Sequence, residues 1–355
     1  MALTGAYSSG ILLASGMTPP APPPVRGARS QHRTGSRRAR VRLAPLFIMA
    51  VGCGGPPKTS SSSHWLTCSL DSDCSNLEVG ARCGDDGVCS SAGGTRLVQR
   101  LVFSDEFDGT TLDGTRWGYE TGAGIRNDEA QAYTNRSENV SVESGNLVLT
   151  ARAEQYSGAS FTSGSVNTEG LFSFAFGRVE ARFAAPVGRG CSAAFWMLPE
   201  NPTPDVQSCI GSSPCYSGTW PAWGDITIAN LQSQLPGQVL GTISYGVWDD
   251  TLGGVTHGVF AGENATVEDA TAYHTYAFEW GPARLDWFVD DVKVRTVALP
   301  PEDLYLPGGV DPFHKPFHLR LNLALGGLDQ APDSAVYPQE LRIDWVRVSQ
   351  WQAED

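Results

Sequence analysis

Residues 276–297 read YAFEWGPARLDWFVDDVKVRTV, and this stretch decides the fold. It contains three runs of mainly apolar, aromatic and β-branched residues, at 276–280, 285–289 and 292–297. The runs are separated by Gly281-Pro282 and by Asp290-Asp291, which are typical turn residues. Short strand-forming runs joined by tight turns predict an antiparallel meander of β-strands.

The same period-two pattern extends in both directions along the chain. Residues 178–183 alternate charged and apolar side chains, and two apolar runs flank the turn residues 143–146. Residues 318–325 and 341–351 supply closing strands. With 40 glycines, 23 prolines and only 18% charged residues, the composition also favours a β protein rich in turns. We therefore predict an all-β fold, one large antiparallel sandwich over residues 101–351.

The charge distribution excludes one class of partner. The formal net charge is −13, and residues 1–53 contain seven arginines with no lysine, aspartate or glutamate. The remainder of the chain is therefore far more acidic than the total suggests. Because such a surface repels phosphate backbones, we expect no nucleic-acid partner.

Residues 1–53 are interpreted as a basic leader with an export signal. Arginines between positions 26 and 42 precede an apolar run at 43–51, which is too short to cross a bilayer. The run ends in Ala50-Val51-Gly52-Cys53, which resembles a bacterial lipobox. This pattern predicts lipid attachment at Cys53 and anchoring at the bacterial outer membrane or cell surface, the lipid being the membrane contact. An ordinary signal with an incidental Cys53, and a secreted product, is the alternative.

A Ser/Pro-rich tether at 54–67, a Cys-rich module at 68–89 and a linker at 90–100 follow the leader. In an exported chain, the four cysteines of the module predict two disulfides, although their spacing leaves the connectivity open. Zinc is the competing interpretation, but zinc ligands usually lie closer together in sequence. Cys209 and Cys215 flank a turn and predict a third bridge, which leaves Cys191 as a buried thiol. The module's cysteines are Cys68, Cys74, Cys83 and Cys89.

Eight sequence blocks within the sandwich resemble the family 16 glycoside hydrolases, most closely the laminarinase-like β-1,3-glucanases. The resemblance implies a concanavalin A-like β-jelly roll whose concave sheet forms an open cleft for a β-glucan or related polysaccharide. It further implies a monomer that requires no cofactor. The blocks are LVFSDEFDG (101–109), NDEAQAY (127–133), FGRVEAR (176–182), AFWML (194–198), WPAWGDITI (220–228), HTYAFEW (274–280), LNLALGG (321–327) and IDWVRV (343–348).

The family signature on the cleft strand is Glu-x-Asp-x-x-Glu, with the first Glu as nucleophile and the last as acid/base. Strand residues i and i+2 share a face, and one bulged residue brings i+5 back to it. Here the three positions are Asp225, Thr227 and Asn230. Asp225 keeps a shorter carboxylate, whereas the Asn230 amide has no proton to deliver.

This departure predicts a glycan-binding protein with impaired hydrolysis. A working hydrolase or transglycosylase that uses Asp225 with an acid from elsewhere, such as Glu129 or Glu180, is the second hypothesis. A surface scaffold without a glycan ligand is the third.

The resemblance also implies two further groups of site residues. Apolar sugar faces stack on indole rings, and the substrate-binding candidates are Trp220, Trp223, Trp196, Asn127 and Glu129. Family members hold a structural calcium through positions that match Glu106, Gly145 and Asp344. Oxygen ligands suit Ca²⁺, although solvated or paired carboxylates explain the two acidic residues equally well.

Overall fold

The computed structural model describes residues 66–78, 80–200, 224–249, 254–261, 265–299, 312–327 and 330–354, with backbone only at 246–249 and 254–261. The predicted leader with Cys53, the Cys209–Cys215 bridge, Trp220 and Trp223 lie outside these residues. None of the helices formed by the described residues is long and apolar enough to span a membrane.

The regular structure of the described residues is almost entirely β-strand. One short helix, α1 (Asp71–Cys74), and a 3-10 turn (Ser334–Val336) accompany the strands. The strands are β1 (Arg82–Cys83), β2 (Cys89–Ser90), β3 (Leu97–Asp105), β4 (Gly118–Tyr119), β5 (Gly122–Ala123), β6 (Gln131–Tyr133), β7 (Val140–Glu143), β8 (Asn146–Tyr156), β9 (Ala159–Ser163), β10 (Ser165–Asn167), β11 (Ser173–Phe174), β12 (Gly177–Ala184), β13 (Cys191–Pro199), β14 (Asp225–Gln232), β15 (Gln238–Asp249), β16 (Gly254–Ala261), β17 (Ala265–Thr266), β18 (His274–Trp280), β19 (Arg284–Val289), β20 (Val292–Ala298), β21 (Phe317–Leu325) and β22 (Gln339–Ala353).

Two large sheets pack face to face, which confirms the predicted sandwich. The first sheet has the order β16-β15-β14-β13-β21-β10-β4, with β11 beside β21 and β17 beside β15. The second has the order β20-β19-β18-β12-β22-β8-β9-β6-β5, with β3 beside β22 and β7 beside β8. Neighbours that are distant in sequence, such as β13 and β21, give the jelly roll its long-range connectivity.

The predicted hairpins and core alternation are confirmed. Strands β7 and β8 turn at Ser144-Gly145, and β19 and β20 turn at Asp290-Asp291, with positive φ at all four residues. In β12 the apolar side chains of Val179, Ala181 and Phe183 are fully buried between the sheets. Among the described residues, four tryptophans are buried and structural, namely Trp117, Trp280, Trp287 and Trp345.

The Cys-rich module is held by two disulfides, Cys68–Cys83 and Cys74–Cys89, so the open connectivity is resolved and the zinc alternative is wrong. The module also packs against the sandwich. Asn76 accepts a hydrogen bond from the Ala283 amide and donates one to the Arg284 carbonyl, at 3.1 and 3.0 Å.

The predicted boundary at residue 101 is late, because β3 begins at Leu97 and pairs with β22.

Candidate functional site

The cleft floor, as we define it, is the face of the first sheet turned away from the core. Along β14, Ile226 and Ile228 point into the core, so Asp225 and Thr227 occupy the opposite face. Neighbouring strands contribute in register: Trp196 lies opposite Thr227, and Ala194 lies opposite Asn230. The floor comprises Asp225, Thr227 and Asn230 from β14, Ser192, Ala194 and Trp196 from β13, and His318, Arg320 and Asn322 from β21.

A β-bulge places Asn230 on this floor. The register shifts between Thr227 and Asn230, and Ile228 and Ala229 are both buried in the core. The extra residue returns the third signature position to the face of the first two, as the spacing predicts. The Trp287 indole Nε1 of the opposite sheet donates to the Thr227 carbonyl oxygen at 3.0 Å. The strand geometry of the signature is therefore retained.

The three positions differ in burial and in side-chain chemistry. Asp225 is 6% exposed and pairs across the strand with Ser244, whereas Thr227 and Asn230 are partly exposed. The Asn230 Oδ1 accepts a hydrogen bond from the Ser192 hydroxyl at 2.9 Å. These three positions offer one carboxylate, one hydroxyl and one amide, groups that can form hydrogen bonds with hydroxyls but are not a matched pair of carboxyl groups.

Neither of the two residues predicted as substitute acids takes the place of an acid at position 230. Glu180 lies in β12 of the other sheet, where its carboxylate pairs with the buried Arg178 at 3.2 Å. The predicted role of Glu180 as a proton donor to the cleft is therefore wrong.

Glu129 lies on the cleft side but beyond β21. Its carboxylate accepts hydrogen bonds from Gln131 at 2.7 Å and from the Tyr133 hydroxyl at 3.3 Å. Burial raises the pKa of Glu129, with Arg126 opposing the shift. The Tyr133 hydroxyl in turn accepts from Asn322, which is two strands from Asn230, or roughly 10 Å at the usual strand spacing. Through these contacts Glu129 is held beside β21 and not on β14, where position 230 lies.

A charged cluster that the sequence did not predict lies beside these residues. Glu120 accepts two hydrogen bonds from Arg126, at 2.9 and 2.6 Å, and one from Arg320 at 2.5 Å. Burial opposes ionisation, but the two guanidinium groups and the Ser165 hydroxyl outweigh it and lower the pKa of Glu120 to about 2. The residues of this cluster come from β10, from β21 and from the segment between β4 and β6. Because these parts of the chain are far apart in sequence, no local sequence pattern predicts the cluster.

This cluster changes the surroundings of Trp196. The guanidinium groups of Arg126 and Arg320 lie 5.2 and 5.1 Å from the centre of the indole ring, and Nε1 donates to Asn322 at 2.8 Å. Trp196 is partly exposed on the floor. A sugar that stacks on Trp196 must share the ring with these cations.

His318 is buried, and it lies at the same end of the cleft floor as Asp225. Its ring nitrogens are 3.6 Å from Glu200 and 3.9 Å from Glu169. Burial, together with the nearby Arg320 charge, lowers the pKa of His318 to about 4. The imidazole is therefore neutral at physiological pH.

The predicted calcium ligands do not fit a metal in this arrangement. Both carboxylate oxygens of Glu106 accept from Arg347, at 2.8 and 2.9 Å, and Asp344 pairs with Arg182. Gly145 forms the β7–β8 turn. Within the described residues, the one cluster close enough to share a metal is Cys68, Cys74 and Cys89, whose sulfurs are in disulfides. Glu106 and Asp344 are carboxylates paired with arginines, which is the alternative interpretation given above.

The two packed sheets, with the cleft floor on the open face of one of them, define a β-jelly roll. The sequence profile of Glycosyl hydrolases family 16 matches residues 237–354. A beta-glucanase of Rhodothermus marinus is 37% identical over 276 residues, covering 74% of this chain and 91% of the relative. A glucan endo-1,3-beta-glucosidase of Cryptopygus antarcticus is 33% identical over 237 residues, covering 64% of this chain and 80% of the relative.

A solved structure gives the same result. The X-ray structure of the laminarinase from Rhodothermus marinus matches with a TM-score of 0.59 at 37% identity, over 72% of this chain and 99% of the laminarinase. The chain belongs to family 16 of the glycosyl hydrolases.

Proposed function

We propose that this protein binds a β-glucan-type polysaccharide across the cleft floor and hydrolyses it poorly or not at all. Its family membership supports the substrate class, since the relatives are named as glucanases. The observation that carries the proposal is the intact register of β14 with Asp225, Thr227 and Asn230 at the three signature positions.

The loss of an acid at position 230 has a defined cost. General acid catalysis contributes about 10²–10⁴-fold to a rate, or roughly 3–5 kcal/mol of barrier. An amide cannot protonate a leaving sugar oxygen. The Asp225 side chain is also one methylene shorter than glutamate, which withdraws its carboxylate by roughly 1.5 Å. These changes reduce turnover without removing the groups that bind hydroxyls.

The experiment measures affinity and product formation on the same preparation. Laminarin is titrated into the purified protein by isothermal calorimetry, and reducing ends are followed in parallel over a long incubation. We expect saturable binding without release of reducing ends. Hydrolysis by the unaltered protein that disappears in Asp225→Ala would contradict the proposal.

A working hydrolase is the second candidate, because the relatives are named as glucanases and Asp225 retains a carboxylate. In that case Asp225 acts as nucleophile or base with an unconventional acid. The same experiment separates the two functions, since only a hydrolase generates reducing ends that depend on Asp225.

We further propose that the lipobox-like Ala50-Val51-Gly52-Cys53 anchors the protein to a bacterial outer membrane or cell surface. Acyl chains contribute about 0.8 kcal/mol per buried methylene, so two chains hold a protein stably. Metabolic labelling with palmitate should mark the wild-type chain and not Cys53→Ser. Equal labelling of the two chains would contradict acylation at this position.

A further inference from the structure

Two asparagines lie in register on the cleft floor, and they differ in how much of each side-chain amide is hydrogen-bonded. Asn322, Ala194 and Asn230 are in register on β21, β13 and β14. The Asn322 amide is satisfied on both sides, since Oδ1 accepts from Trp196 at 2.8 Å and Nδ2 donates to Tyr133 at 3.0 Å. The Asn230 amide is satisfied on one side, with Oδ1 accepting from Ser192 at 2.9 Å. Among the described residues, no protein group accepts a hydrogen bond from the Asn230 Nδ2.

The Ser192 hydroxyl fixes which side of the amide is available. Ser192 is 9% exposed and lies on the adjacent strand, diagonal to Asn230. Since its hydroxyl donates to Oδ1, the NH₂ group is the part of the amide left for a ligand. Asn230 itself is partly exposed, and its in-register neighbour Ala194 leaves room above the floor.

The surroundings contain few charges that would compete for this donor. In register with Asn230 lie Ala194 on β13 and Leu240 on β15, and both are apolar. Of the three signature positions, Asp225 alone can titrate, and it lies at the start of the same strand. The amide therefore faces an uncharged part of the described floor.

We propose that the Asn230 amide is a fixed hydrogen-bond donor to an oxygen of the bound glycan that can only accept, a glycosidic or ring oxygen. Ser192 is its positioning residue. The inference rests on the proposed function and deepens it: the side chain holds a glycan oxygen without transferring a proton. The ligand class is the β-glucan-type polysaccharide of the proposed function, whose glycosidic and ring oxygens accept such a bond.

The test compares four substitutions. Asn230→Asp keeps the acceptor for Ser192 and replaces the amide donor with a carboxylate oxygen. Asn230→Ala removes both groups, and Ser192→Ala releases the amide. Asn135→Asp, at an exposed position, controls for the added charge. Thermal unfolding of each variant confirms folding.

We expect Asn230→Ala to weaken laminarin binding a few-fold, since a neutral hydrogen bond is worth about 2–12-fold. Asn230→Asp should weaken it more, by at least about tenfold at pH 7, because a carboxylate next to an acceptor oxygen is unfavourable. Lowering the pH towards 4 should restore much of that loss, since a protonated carboxyl regains a donor. Ser192→Ala should cost about two- to fivefold at every pH, and Asn135→Asp nothing.

The outcomes separate this inference from the proposed function. If the unaltered protein binds laminarin and Asn230→Asp binds equally well at pH 7, the inference is wrong and the proposed function stands. If the unaltered protein hydrolyses laminarin while Asn230→Asp binds weakly, the proposed function fails and the donor role stands. If neither laminarin nor another β-glucan binds the unaltered protein, both are wrong.

Discussion

The Trp287 indole donates a hydrogen bond to the Thr227 carbonyl oxygen at 3.0 Å, across the interior of the sandwich. Trp287 belongs to β19 of one sheet, and Thr227 belongs to β14 of the other. The bond is made at the bulge that turns Asn230 towards the cleft. A core residue of one sheet therefore supports the geometry of the signature strand on the other.

Trp287→Phe should disturb this bulge. The substitution keeps an aromatic ring in the core but leaves the Thr227 carbonyl without its indole donor, a loss of about 1–3 kcal/mol in the free energy of unfolding. Because the bulge positions Asn230, laminarin affinity should fall as well. Urea denaturation and calorimetric titration measure the two effects.

Trp280→Phe is the matched control. Trp280 is equally buried, and its Nε1 donates to the Phe313 carbonyl at 3.0 Å, away from the bulge. We expect a similar loss of stability with unchanged affinity. If both variants bind laminarin as the unaltered protein does, Trp287 supports the core and not the site.

The retained register also predicts that catalysis can be restored. In the variant Asp225→Glu/Thr227→Asp/Asn230→Glu, the three carboxyl groups would project from strand positions that already share one face. We expect measurable release of reducing ends from laminarin. The double variant that keeps Asn230 should be slower by at least about a hundredfold, because it lacks the acid. Equal rates for the two variants would show that position 230 is not where the acid acts.

The features that the sequence predicted are those encoded by neighbouring residues. Turn chemistry at Ser144-Gly145 and Asp290-Asp291 located two hairpins, and the alternation around Val179 identified a core strand. The resemblance to the family signature placed Asp225, Thr227 and Asn230 on one face of a bulged strand, and the bulge lies where that signature requires it. Each of these follows from backbone geometry within a few residues.

The features that the sequence did not predict depend on distant pairings. Glu120 meets Arg320 only because β4 and β21 flank β10 in the same sheet. The residue types at Glu106 and Asp344 suit calcium, but β-strand pairing brings Arg347 and Arg182 to them instead. Disulfide connectivity likewise required the folded arrangement, because four cysteines allow several pairings.

The Glu120 cluster should contribute strongly to stability. Glu120→Gln leaves the largely buried guanidinium groups of Arg126 and Arg320 without their shared anion, and breaking a buried pair costs about 3 kcal/mol or more. Glu340→Gln is the control, because its pair with Arg342 is exposed and should contribute less than about 1 kcal/mol. Equal losses in urea denaturation would show that the buried cluster has no special role.

His318 should make stability depend on pH. Its pKa is lowered from the ordinary histidine value of 6.5 to about 4 in the folded chain, chiefly by burial. Between these values the unfolded chain binds a proton that the folded chain does not, so stability is lost as the pH falls from about 6.5 towards 4. In His318→Phe this part of the pH dependence should disappear, while the titration of carboxylates such as Glu120 remains.

Two measurements check the role of His318. The free energy of unfolding of the unaltered protein, relative to His318→Phe, should fall by on the order of 2 kcal/mol between pH 7 and pH 4. Nuclear magnetic resonance should show the imidazole carbons of His318 titrating near pH 4, because the ring is 1% exposed and the Arg320 guanidinium lies 3.4 Å from its Nε2. A midpoint near 6.5, with parallel stability curves for the two proteins, would mean that His318 is accessible to protons in the folded state.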